Sequence, residues 1–154
     1  MENTNKAYAI LMELPEVQRI NLRLMEIASF NNFDGPKIVL SLLKNKDLWQ
    51  ACLMDREANW TPFDVNERKS SLSICLIKLR DMADETVKRL GRQIWNVDTL
   101  FIIPQEDTRT QIRLRRLADS WQANEVNWIL WPTASILLGG SIGAKLPLLR
   151  VWWD

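Results

Sequence analysis

Thr99-Leu100-Phe101-Ile102-Ile103-Pro104-Gln105-Glu106-Asp107, continued through Ile112, Leu114, Leu117, Ala118 and Trp121 to Val126-Asn127-Trp128-Ile129-Leu130-Trp131-Pro132, is the stretch whose reading decides the fold. A short apolar run stopped by proline predicts a buried strand. Asp107 then opens a segment whose apolar residues fall on or beside one helical face, which predicts a helix. The second apolar run, stopped by Pro132, predicts the next strand. A helix between consecutive apolar strands favours a parallel crossover with helices covering both faces of the sheet.

Working outward, Leu148-Leu149-Arg150-Val151-Trp152-Trp153 reads as a closing strand after the loop from Gly139 to Pro147, and Leu48–Asp55, a short apolar run that fits a strand or a helix, is read as a further strand because Asp55-Arg56-Glu57 bounds it. Between them, Thr61-Pro62-Phe63-Asp64 is a strong helix start. A regular stripe of Leu72, Leu76, Leu79, Ala83, Val87, Leu90 and Ile94 follows, predicting a long core helix over residues 62–93. Upstream, helical spacings run from Tyr8 to Phe30 with a break at Pro15, and Asp34 or Gly35 can cap a helix carrying Ile38, Val39, Leu42 and Leu43. The expected fold is therefore α/β: three layers around a mostly parallel sheet of about four strands flanked by helices, with an N-terminal helical addition. One domain is expected over residues 1–154, with helices in 1–46 and the α/β core in 47–154.

Composition is consistent with such a domain. The 154 residues are 47% apolar and 25% charged, enough to build one core without staples and too apolar for a disordered chain. Lysine and arginine total 20 against 19 acids, so no long-range field favours nucleic acid or an anionic membrane. Cys52 and Cys75 lie in apolar stretches without metal-ligand spacing, which predicts buried thiols in a reducing compartment. Met1-Glu2-Asn3-Thr4-Asn5-Lys6 has no basic region leading into an apolar run, so the expected location is the cytoplasm. The uncharged stretch 126–144 raises a membrane span, but Asn127, Pro132 and three glycines interrupt it, and strand, short helix and loop is the simpler reading.

The sequence contains no histidine, which excludes Ser–His and Cys–His hydrolysis and any histidine-held zinc or haem. Carboxylates, lysines and arginines remain. In a parallel sheet, ligands bind beyond the carboxyl ends of strands, where Asp55, Glu106, Asp107 and Asp154 are expected. Asp55, Glu106 and Asp107 together could hold magnesium against a phosphate, with Arg109 as anion partner. Glu106 and Asp107 equally fit helix capping, the simpler role. Arg109, Arg113 and Arg116 fall on one helix face and, with Lys145, form the candidate anion-binding set; a solvated face explains the arginines as well. Gly139-Gly140-Ser141-Ile142-Gly143-Ala144-Lys145 departs from the phosphate loop of nucleoside triphosphatases, because three residues separate the flanking glycines and Ala144 precedes the lysine.

Eight tryptophans are many for this length, and indole favours core edges and interfaces. Trp128, Trp131, Trp152 and Trp153 are the candidate interface residues. In a terminal strand Trp152 and Trp153 must point to opposite faces, one into the core and the other toward Trp128 or Trp131. Two functions follow. One is a non-enzymatic binding or regulatory module with a protein partner or a second copy of itself, needing no cofactor or metal. The alternative is a small phosphate- or nucleotide-handling enzyme that would use magnesium.

Overall fold

Pro15 separates two amphipathic segments as its fixed φ and missing N–H require. In the computed structural model, which describes residues 2–55, 97–138 and 145–154, they form α1 (Glu2–Glu13) and α2 (Glu16–Ile27). A two-residue hairpin of β1 (Ser29–Phe30) and β2 (Phe33–Asp34) then turns through Asn31, whose φ of 44° suits asparagine. Asp34 caps α3 (Gly35–Lys44) by accepting from the Lys37 N–H at 3.1 Å. Glycine is required at position 35: a Cβ there would run into the carbonyl oxygens of Met25 and Ala28, so α3 starts directly against the end of α2.

After a short 3-10 turn (Lys46–Leu48), the sheet is built from β3 (Trp49–Asp55), β4 (Thr99–Pro104), β5 (Glu125–Ile129) and β6 (Leu148–Trp152). α4 (Thr108–Asp119) joins β4 to β5, and the five-residue α5 (Thr133–Leu137) follows β5. The strand order is β3-β4-β6-β5 and every neighbouring pair is antiparallel.

This corrects the mostly parallel sheet expected from the sequence. β4 and β5 do run in the same direction, since each is antiparallel to β6, and α4 does cross between them. They are not neighbours, however: β6 inserts between them, giving a split β-α-β unit. The apolar runs that suggested a parallel sheet have another cause, which is that the central strands β4 and β6 carry apolar residues toward both faces. Leu100, Ile102, Leu149 and Val151 face the main core, while Phe101 and Leu148 belong to a second, smaller cluster.

That main core lies between one face of the sheet and α1–α4, so the N-terminal helices share a single core with the strands. Three buried indoles pin it, each donating its N–H: Trp49 to the Leu42 carbonyl (2.9 Å), Trp121 to the Ser41 hydroxyl (3.0 Å) and Trp153 to the Trp121 carbonyl (3.4 Å). On the opposite face α5 covers the smaller cluster of Phe101, Ala134 and Leu148. Among the described residues no helix is long and apolar enough to cross a membrane. The long helix expected over 62–93, with Leu76, Leu79 and Cys75, lies outside the described residues, as do positions 139–144 of the glycine loop.

Candidate functional site

The antiparallel order decides the fate of the carboxylate site. Asp55 is paired with Thr99, at the start of β4, whereas Glu106 and Asp107 follow the end of that strand. Five strand steps of about 3.3 Å separate the two ends by roughly 16 Å, far beyond the span of one magnesium ion. Asp154 joins the Asp55 end, since the Trp153 N–H donates to the Asp98 carbonyl and the Asp98 N–H to that of Asp55. Among the described residues no three potential ligands gather around a metal-sized space.

Asp107 has a structural role. One carboxylate oxygen accepts from the Arg109 N–H and the other from the Thr110 N–H, both at 2.9 Å, and the Thr110 hydroxyl also donates to it. The hydroxyl bond foremost, then the two backbone bonds, hold this carboxyl below the usual aspartate range. Glu106 beside it is exposed, and its carbonyl accepts from the Gln111 amide.

Arg109, Arg113 and Arg116 do share one exposed face of α4, with the half-exposed Ile112 among them. Arg113 reaches Asp47 at 3.1 Å and Arg115 reaches Asp119 at 2.9 Å, all well exposed and therefore weak. Lys145 is exposed, and its ammonium lies 4.7 Å from the centre of the Trp131 ring.

The four candidate tryptophans part company. Trp153 is completely buried, edge-on to Phe33 with ring centres 4.9 Å apart, and so lies in the core rather than on a contact surface. Trp152 is half-buried on the other face, with the Arg150 guanidinium 6.0 Å from its ring centre. It pairs across the sheet with Glu125 and Thr99; of the two neighbours the sequence offered, Trp128 or Trp131, Trp128 pairs instead with Leu149. Trp128 is half-buried and packs against the main core. Trp131 is 52% exposed.

Trp131 belongs to a surface built by local chemistry. β5 stops at Ile129, and Pro132, lacking an N–H, cannot extend its ladder. The chain turns into α5, where the Ala134 N–H donates to the Leu130 carbonyl (3.0 Å) and the Ile136 N–H to the Pro132 carbonyl (3.1 Å). Ala134 faces inward and is fully buried, which sends Ile136, two residues on, outward. Leu130 and Ile136 are 64% and 73% exposed, so three large apolar side chains meet solvent within residues 130–136.

Several features had not been read from the sequence. Ile136 is one, hidden because a five-residue helix carries too few turns to show a period. Arg150 is another: its side chain is only 12% exposed and holds Glu125 at 2.9 Å across the sheet. A single charge inside the apolar run 148–153 was its available signal. A second exposed apolar group, Tyr8, Met12, Val17, Ile20 and Ile27, lies on α1 and α2, where Arg23 stacks on Tyr8.

Comparison of the chain with protein-family models, with curated proteins and with solved structures finds no match.

Proposed function

We propose that the protein is a non-enzymatic binding module that engages a protein partner through Leu130, Trp131 and Ile136, with Lys145 at the rim. The observation that carries this reading is the exposure of these three side chains, each above one half, on backbone held by hydrogen bonds and by the buried Ala134. An exposed tryptophan with two exposed aliphatic side chains close by in the sequence offers a large apolar contact area to a partner. The Lys145 ammonium over the indole favours a partner whose apolar surface carries a carboxylate at its edge.

The arginine face of α4 is a separate surface, because α4 packs on one face of the sheet and α5 on the other. Its exposed ion pairs are those of a solvated helix. A reducing cytoplasm is the compartment this reading assigns, supported by the buried free thiol of Cys52.

Photo-crosslinking tests the proposal. A photoreactive amino acid at position 136 should yield a discrete crosslinked protein, or a crosslinked second copy, in the native cell, whereas one at position 116 on α4 should yield none. Equal products from both positions would contradict it.

A further inference from the structure

Beneath α5, on the side of the sheet away from the main core, lies an apolar pocket of about 170 Å³. Its floor is formed by Ala51 and Leu53 of β3, Phe101 and Ile103 of β4 and Leu148 of β6, and Leu137 of α5 overhangs it. The space has an identifiable origin. Ala51 stands opposite Ile103 in the sheet, so the edge strand presents a methyl group where the strands beside it present branched side chains. α5, at five residues, is too short to extend over β3. Leu53, at the open side, keeps 39% of its surface exposed.

We infer that this pocket is a binding site for a small, neutral, apolar molecule, the size of one aromatic ring or a short acyl chain. Three observations support that class. The volume is sufficient for one aromatic ring, since about 150 Å³ holds benzene in an enclosed cavity, and here the ring would keep one side toward solvent at Leu53. Among the described residues no charged side chain lines the walls, so a charged ligand would lose hydration without gaining a partner there. Water is disfavoured for a related reason, since it needs two to four polar neighbours and the lining side chains are aliphatic, aromatic or thiol. The site is distinct from the proposed contact surface, because Leu130, Trp131 and Ile136 are not among its walls.

The test uses the full chain, with toluene as the neutral probe and benzoate as its charged counterpart. Toluene should shift the methyl resonances of Leu53, Ile103, Leu137 and Leu148 saturably and raise the thermal midpoint; benzoate should do neither. Ala51→Leu fills the space and should weaken toluene binding at least tenfold, with the probe-free midpoint unchanged or higher; Ala51→Val is the milder replacement. Absence of saturable shifts, equal binding of benzoate, or unaltered toluene affinity in whichever filled variants fold would overturn the inference. So would concentration-dependent shifts at these methyls without any probe, which would assign the pocket to a side chain of a second copy.

Discussion

The Gln18 carboxamide pairs with the backbone of Cys52 as a neighbouring strand would: it accepts from the Cys52 N–H at 3.0 Å and donates to the Cys52 carbonyl at 2.9 Å. Among the described residues β3 is an edge strand, and its middle would otherwise present an unpaired donor and acceptor. α2 thus closes one edge of the sheet with a single side chain. Gln18→Leu should destabilise the fold by about 1–3 kcal/mol, because both backbone groups lose their partner in a partly buried setting. Val17→Ala, next to it and 80% exposed, should stay within about 0.5 kcal/mol. Urea denaturation of the two variants checks the difference, and equal midpoints would show that the Gln18 contact adds nothing.

Trp152 and Trp153 provide a matched pair, adjacent in sequence and on opposite faces. Trp153→Ala should cost about 3–5 kcal/mol, since it empties a fully buried site beside Phe33 and removes the indole bond to Trp121. Trp152→Ala, removing a half-buried ring, should cost clearly less. Truncation after Arg150 should destabilise at least as much as Trp153→Ala, as read from thermal midpoints; a truncated chain as stable as the full one would mean that the core does not need residues 151–154.

Asp107 links stability to pH. Its carboxyl titrates below the usual range in the folded chain, principally because of the Thr110 hydroxyl. The ionised cap therefore contributes fully above the unfolded carboxyl value of about 3.9 and is lost as the pH falls through the lower folded value. Asp107→Asn keeps a capping oxygen but removes the titration. Between about pH 4 and pH 2 the wild-type thermal midpoint should fall more steeply than that of the asparagine variant. Parallel curves would show that Asp107 is not coupled to folding.

Burial pushes the Cys52 thiol up to about 12, against the smaller downward pulls of the Gln18 amide and the Lys46 charge. The thiolate is the reactive form, so the side chain should be inert near neutral pH. In a Cys75→Ser background, a disulfide reagent at pH 8 should label Cys52 only as fast as the protein unfolds. Stoichiometric labelling within minutes, under conditions where unfolding takes hours, would contradict its burial.

Local elements were legible where short-range chemistry sets them. Asp107 and Asp34 cap the helices their positions suggested, and the proline break separates α1 from α2. The opposite orientation of Trp152 and Trp153 followed from strand geometry alone. Strand order did not, because an apolar run records how thoroughly a strand is buried and not which neighbour buries it. Leu100 to Ile103 reads the same whether the adjacent strand is β5, parallel to it, or β6, antiparallel. That ambiguity carried into the carboxylates, which were gathered at one end only by the parallel assumption. The pairing of Gln18 with Cys52, 34 residues apart, had no local signal at all.

The central claim is that residues 130–136 form the contact surface, and affinity enrichment from the native cell tests it most directly. Wild-type protein should retain a specific partner, or an exchanged second copy, that Leu130→Ser/Trp131→Ser loses by at least tenfold, both proteins having the same thermal midpoint. Arg113→Ala, on the far side of the sheet, should retain it as the wild type does. A retained set unchanged by the double substitution, or no protein enriched by the wild type, would contradict the account.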